Sequence, residues 1–458
     1  MPLDSISPID GRYRSHTEPL AAYWSEAGLI RYRIIVESEY LIALSESGLS
    51  GLRKLNEEEK KTIRNLYNLP TEELQIVSEI EFKGYKNIKA TEHDMKSVEY
   101  FIKDRLAGTS LVDMMEWIHF ALTSWDINNL AYTLMLGESL REVILPAIRN
   151  VTDEINALAG QYKNLPMLAR THGQPASPTT FGKEFKVFAA RLERQLQQLQ
   201  DKTILAKLNG ASGNHNAHLA AFPQVDWQEF SRRFISNLGN LRNVRLEVNP
   251  WTTQIEPYDS YVEIFDTLRR INTILLGFDQ DMWRYISDGW LVQKPREGEV
   301  GSSTMPHKIN PIKFENSEGN LGVANALLEH FARKLPVSRL QRDLTDSTVL
   351  RDIGVALGHS LIGYRYLLNG LSRVKVDENK VREELENHPE VIAEAIQTIL
   401  RREGVAMPYE KLKELTRGRE VTMRDFANFI DGLAISDAVK QELKAITPAN
   451  YIGLAGKF

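Results

Sequence analysis

The chain has 458 residues, of which 42% are hydrophobic and 26% charged, with a formal net charge of −5 and no cysteine. That length exceeds one ordinary core, so two or three domains are expected, and the charge offers no general attraction to nucleic acid or anionic membranes. The lack of cysteine excludes disulfides and thiolate metal sites; with no signal-peptide pattern and no apolar run of membrane-spanning length, the cytoplasm is the expected location.

Ser7-Pro8-Ile9-Asp10-Gly11-Arg12-Tyr13 is turn chemistry, so the chain should begin as an extended arm. From about Leu20 the signal is helical, with Ile30, Ile34, Leu41 and Leu44 at turn spacing. Shorter helices are expected at roughly 56–66, 70–82 and 92–107. Thr91-Glu92-His93-Asp94 opens the last of them as a cap with acidic residues in the first turn. In His119-Phe120-Ala121-Leu122-Thr123-Ser124 two hydroxyls precede a helix at Asp126, a natural cradle for carboxylate or phosphate.

Three longer runs follow. Ile144, Ile148, Val151, Ile155, Leu158 and Tyr162 step by three and four, as do Phe181, Phe185, Phe188, Leu192, Leu196 and Leu199. Ile264, Leu268, Ile271, Leu275, Phe278 and Met282 repeat the habit. Narrow apolar stripes of this period pack lengthwise against other helices, as in bundles and coiled coils, and a homo-oligomeric bundle would cover the remaining apolar faces. Pro146 should kink or break the first run. No convincing alternating strand is visible, so the fold class is all-α. Past about Lys375 compact charged helices are punctuated by Pro389, Pro408 and Pro448. The expected division is an N-terminal helical domain over roughly 1–112, a long-helix domain over roughly 113–370, and a C-terminal helical domain over roughly 371–458.

The chemistry concentrates in Gly301-Ser302-Ser303-Thr304-Met305-Pro306-His307-Lys308-Ile309-Asn310-Pro311. A serine abstracts a carbon-bound proton only where its alkoxide is stabilised, and Lys308 and nearby N–H groups are suitable donors. Thr171-His172-Gly173-Gln174-Pro175 lies between two of the long runs and carries a histidine, the side chain whose pKa suits proton transfer near neutrality. Ser338 to Arg351 is a basic run rich in hydroxyls. On spacing alone it is a solvated face, yet arginine forks and Ser/Thr donors also grip phosphate. His215 and His218 lack a third ligand at metal spacing, and no phosphate loop of the Walker or dinucleotide type is present.

The Gly301–Pro311 string resembles the signature loop of the aspartase/fumarase superfamily, whose members eliminate fumarate from a succinyl-bearing substrate. Its His307 form, followed by Asn310-Pro311, looks most like the adenylosuccinate lyase branch, and the likeness runs from Ser7 to the tail Thr447–Gly453. The resemblance implies an all-α homotetramer with a central bundle of long helices, each pocket drawing on three subunits, and nucleotide substrates with no cofactor or metal. It makes Ser302 the base, with Ser303 the open alternative, His172 the acid, Glu315 its orienter, and Lys308 and Asn310 the stabilisers of the charged carboxylate. It assigns Arg12 and Tyr13 to the phosphate, and Arg342, Ser347, Thr348 and Arg351 to phosphate and ribose. Glu92, His93, Asp94, His119 and Gln254 would line the pocket, and Thr123 and Ser124 would hold the succinyl carboxylates. Two positions depart from the branch: Trp125 stands where a polar residue is expected, and His215 where a tyrosine is expected.

Two other functions fit some of these features. One is a different fumarate-releasing lyase, such as argininosuccinate lyase or fumarase, whose substrates carry no phosphate for Arg12, Arg342, Ser347 and Arg351. The other is a helical scaffold without chemistry, which leaves His172, Ser302 and Lys308 unexplained.

Overall fold

Helix starts in this chain are set by short polar side chains that satisfy exposed backbone N–H groups. Asn56 Oδ1 accepts from Glu59 N (2.9 Å) while Glu59 Oε2 accepts from Asn56 N (3.0 Å), a reciprocal cap worth about 1 kcal/mol. Ser25, Asp226, Asp377, Thr422 and Ser436 cap other helices with their side chains. The computed structural model describes residues 3–200, 202–294, 305, 308–418 and 420–458.

The chain divides into two compact units. The first comprises Met1–Ile148, Gln195–Thr273 and Gly319–Arg365; the second comprises Arg149–Arg194, Ile274–Glu318 and Tyr366–Phe458. Every boundary between them falls inside a long helix rather than in a linker.

In the first unit, α1 (Arg14–Trp24), α2 (Glu26–Glu46), α3 (Glu57–Asn65), α4 (Thr71–Phe82), α5 (Asp94–Leu106) and α6 (Ser124–Ser139) follow one another. The three short helices lie within two residues of their expected positions. Helix α2 is buried on nearly every side because α1, α4, α5 and α6 all pack on it. The arm is not extended as expected: Ile9 is buried, Thr17 Oγ1 donates to Ile9 O (2.9 Å), and helix begins at Arg14 rather than near Leu20. Pro19 leaves the Ser15 carbonyl without its helical N–H, and Arg365 Nη1 reaches that carbonyl (3.5 Å) and His16 O (2.7 Å).

Helix α6 runs through a π turn at Leu140–Ile144 directly into α7 (Leu145–Gln161). Pro146 therefore does not break the helix. The wider turn, with Leu145 N bonded to Leu140 O, accommodates a ring that cannot donate. The remaining helices are α8 (Phe181–Gln200), α9 (Asn216–Ala221), α10 (Trp227–Arg242), α11 (Asp259–Ser287), α12 (Ile312–Lys334), α13 (Thr345–Arg351), α14 (Ile353–Leu371), α15 (Glu378–Glu386), α16 (Ala393–Arg402), α17 (Pro408–Thr416), α18 (Met423–Asp431) and α19 (Asp437–Lys444). Helix α11, with 29 residues, is about 43 Å long. Its expected stripe is real: Ile264, Leu268, Ile271, Leu275, Phe278 and Met282 are all buried. In the first unit α11 and α14 share a buried clamp, in which Asn272 Nδ2 donates to Ser360 Oγ (3.0 Å) and Tyr364 OH donates to Asn272 Oδ1 (2.6 Å).

Six short strands among the described residues correct the expectation of none. β1 (Pro166–Thr171) and β2 (Gln174–Thr180) form an antiparallel hairpin, β3 (Ile204–Ala206) runs parallel to β4 (Leu246–Val248), and β5 (Leu291–Gln293) pairs antiparallel with β6 (Val374–Val376). They are trimmings on an all-α fold. In the second unit the hairpin is anchored from below, because Leu168 enters the core of the C-terminal helices beside Leu385, Ile396, Leu412 and Phe426.

Candidate active site

Three loops of the first unit converge on one ammonium. Lys207, just past β3, has a fully buried side chain, and its Nζ donates to Asp126 Oδ1 (2.8 Å), Gly210 O (3.0 Å) and Gln254 O (3.0 Å). The Asp126 carboxylate also accepts from the backbone N–H of Thr123 (2.9 Å), Asn209 (3.1 Å) and Gly210 (3.1 Å). Burial by itself would raise the pKa of Asp126, but Lys207 and these donors outweigh it and hold the carboxyl below its usual range. The pair thereby fixes the Thr123-Ser124 helix start, the Asn209–Asn214 loop and the Gln254 segment against one another. Gly213 is required in that loop, since its φ is +81° and a Cβ would lie 2.2 Å from Thr252 O.

The Gln254 side chain meets Arg342, whose Nη1 donates to Gln254 Oε1 (3.3 Å). Arg342 Nε lies 3.5 Å from Asp346 Oδ1, and its guanidinium carbon sits 3.6 Å from the ring centre of Trp125. Ser347 N donates to Asp346 Oδ1 (2.8 Å), and Thr348 is exposed on the next position of α13. Arg351, at the end of α13, donates to Glu26 Oε2 (2.7 Å) and lies 3.7 Å from Asp94 Oδ2. Asp94 is in turn paired with Arg33, whose Nε donates to Asn128 Oδ1 (2.8 Å). Burial opposes ionisation of Asp94, but Arg33, the Met95 N–H and His93 together more than offset it, so its pKa is lowered. His93 is the side-chain cap of α5, its Nδ1 accepting from Lys96 N (3.2 Å); Glu92 is exposed in a left-handed conformation.

His119 is held by Glu37 of α2. Its Nδ1 lies 2.5 Å from Glu37 Oε1, and its backbone N–H donates to Glu37 Oε2 (3.2 Å). Burial pushes the imidazole pKa down, but the Glu37 charge and hydrogen bond push it up further, and the net shift is upward from 6.5. A raised histidine pKa contributes stability that is complete below 6.5 and disappears as pH rises through the folded-state value. The melting-temperature gap between wild type and His119→Gln is therefore expected to be larger at pH 6 than at pH 8.5; an equal gap at both would show that the imidazolium–Glu37 pair does not form.

Arg12 is exposed, and Tyr13 is half-buried with its ring edge-on to His16 at 6.4 Å. A pocket of about 350 Å³ in this unit, bounded by Asp10, Arg14, Trp24, Glu26 and Arg351, joins the arm to the α13 terminus.

The other candidates fall in the second unit. His172 and Gly173 are the two turn residues of the β1–β2 hairpin, with φ of +53° and +74° and Thr171 paired to Gln174. Positive φ at both positions matches strand twist and projects the turn outward. His172 is exposed, and its imidazole has no hydrogen-bond partner among the described residues. Glu315, in the first turn of α12, accepts from Trp283 Nε1 (3.1 Å). Lys308 is exposed, with its N–H donating to Met305 O (3.1 Å); Asn310 is half-buried. Ser302, Ser303 and His307 lie outside the described residues.

Reading the sequence did not single out Lys207, Asp126, Arg33 or Glu37, on which the first-unit arrangement rests. The available signals were a lysine inside the apolar run Ile204–Leu208, and Arg33 and Glu37 four apart, flanking the apolar run Ile34–Val36. His215 and His218 stack edge-on at 5.3 Å, and burial and the neighbouring ring push His218 down to about 4. Among the described residues no cluster of three or more His, Asp or Glu could hold a metal ion, and no helix is long and apolar enough to cross a membrane.

Known proteins match along nearly the whole chain. A lyase family model matches residues 11–325, and two solved structures share the fold: a fumarate lyase from Mesorhizobium sp. BNC1 (TM-score 0.72, 17% identity) and a 3-carboxy-cis,cis-muconate lactonizing enzyme from Pseudomonas putida (TM-score 0.71, 20% identity). Each covers 96% of this chain, which itself spans 96% and 94% of theirs. The chain belongs to this lyase family. Within it the chain falls among the adenylosuccinate lyases: the adenylosuccinate lyase C-terminal model matches residues 338–452, and the adenylosuccinate lyases of Escherichia coli K12 and Vibrio cholerae are 50% and 49% identical. Both alignments cover 99% of this chain and 97% of the relative, and the Dictyostelium discoideum adenylosuccinate lyase is 48% identical over 100% and 98%.

Proposed function

We propose that this chain eliminates fumarate from adenylosuccinate, releasing AMP, and likewise from succinylaminoimidazole carboxamide ribotide in purine biosynthesis. The observation that carries this is the identity of about half of all residues to adenylosuccinate lyases over almost the full length. Ser302, or its neighbour Ser303, removes the proton from the carbon beside the succinyl carboxylate. Electron density moves onto that carboxylate, where Lys308 and Asn310 stabilise it. Collapse of the charge breaks the carbon–nitrogen bond, and His172, oriented by Glu315, gives the leaving nitrogen its proton.

Binding is assigned to the first unit. Arg342, Ser347, Thr348 and Arg351, with Arg12 and Tyr13, take phosphate and ribose; Thr123 and Ser124 take a succinyl carboxylate; Glu92, His93, Asp94, His119 and Gln254 line the pocket. The enzyme is a cytoplasmic homotetramer whose sites combine residues of three subunits, built from segments of roughly 1–112, 113–370 and 371–458. Purified protein mixed with adenylosuccinate should show the ultraviolet change to AMP. Turnover of argininosuccinate or malate instead would replace this reading with another fumarate-releasing lyase, and no turnover of any of them would leave a scaffold.

A further inference from the structure

Trp125 is one of the two positions at which the resemblance marks a departure from the branch, and it is 3% exposed. Its Nε1–H donates to Tyr258 OH (2.8 Å), and Tyr258 OH donates to Asp346 Oδ2 (3.3 Å). Tyr258 is fully buried with φ of +65°, a conformation costly for a side chain with a Cβ, so surrounding contacts hold it there. Asp346 brings the chain of contacts back to Arg342, 3.5 Å from its Nε. The guanidinium therefore has the Trp125 ring on its face, Asp346 on its Nε edge and Gln254 on Nη1. Of these nitrogens Nη1 is hydrogen-bonded to Gln254, whereas the buried Nε makes only the ionic contact with Asp346 and no hydrogen bond.

We infer that Trp125 is a positioning residue for substrate binding: its ring and N–H set the plane of Arg342 so that one edge of the fork faces the substrate phosphate. This rests on the reading of Arg342 as a phosphate ligand given above. An arginine on a flexible stem loses rotamer freedom on binding an anion, and a flat aromatic face removes that freedom beforehand. Asp346 alone could not do so, because a carboxylate at one edge leaves the plane free to turn.

The test is steady-state kinetics of Trp125→Leu, Trp125→Phe, Arg342→Ala and the Leu/Ala double variant. Each is assayed with adenylosuccinate and with the same compound lacking its phosphate. Trp125→Leu should raise KM for adenylosuccinate about 2- to 30-fold with kcat within twofold, the span of a cation–π contact. Trp125→Phe keeps a ring under the guanidinium and should recover most of that loss. Arg342→Ala should raise KM about 10- to 150-fold, and adding Trp125→Leu to it should change nothing further. On the phosphate-free compound the KM rises caused by Trp125→Leu and Arg342→Ala should shrink sharply, because the contact they misalign or remove is chiefly with the phosphate. If Arg342→Ala shows the phosphate-dependent rise and Trp125→Leu does not, or if Trp125→Leu impairs both compounds equally, the positioning role is overturned while the phosphate reading stands. An Arg342→Ala enzyme with normal KM overturns both.

Discussion

The His172→Ala enzyme should fold normally and lose about 10²- to 10⁴-fold in kcat, the range of a general acid, with little change in KM. Ser302→Ala should be at least as impaired, because no other group then removes the carbon-bound proton; if Ser303→Ala is the silent enzyme instead, the neighbouring hydroxyl is the base. The more telling result comes from mixing the two. His172 sits at the exposed tip of a hairpin with no hydrogen-bond partner among the described residues, while the carboxylate proposed to orient it is bonded to Trp283 of the same unit. An imidazole left bare in this way is explained if its site is completed by another copy of the chain. Inactive His172→Ala and Ser302→Ala proteins, dissociated and reassembled together in equal amounts, should then regain activity in about a quarter of their sites. Activity at background, with mixed tetramers confirmed by native mass spectrometry, would place both residues on one chain and end the shared-site proposal.

Lys207→Met should destabilise the protein by about 3–5 kcal/mol, because it strands a carboxylate in a site that admits no water. Both side chains of the Lys207–Asp126 pair are fully buried, and the carboxylate keeps only its three backbone N–H donors when the ammonium is gone. Adding Asp126→Asn removes the stranded charge and should restore part of the loss. Denaturant midpoints of the single and double variants decide it: a single-variant loss below about 1 kcal/mol would mean that the pair is solvated in solution. Because Lys207 also holds the Gln254 carbonyl, the surviving Lys207→Met enzyme should bind substrate more weakly.

Where short-range chemistry is sufficient, the sequence settled this protein. Asn56 with Glu59, and the stripes at three- and four-residue spacing through Phe181–Leu199 and Ile264–Met282, act within one or two turns, and the helices they define lie where expected. The Gly301–Pro311 and Thr171–Pro175 strings identified the family because their residues are contiguous. The hairpin beneath His172 escaped notice, since β1 and β2 contain three prolines and their pairing depends on Leu168 finding the core of helices more than two hundred residues away. The buried charges were less legible still. Lys207 meets Asp126 across 81 residues and Arg33 meets Asp94 across 61. A lone charge in sequence is most simply read as solvated. Only the folded chain, by removing water from both partners at once, turns such a pair into a structural requirement, and for the same reason only tertiary structure could lay Trp125 against Arg342.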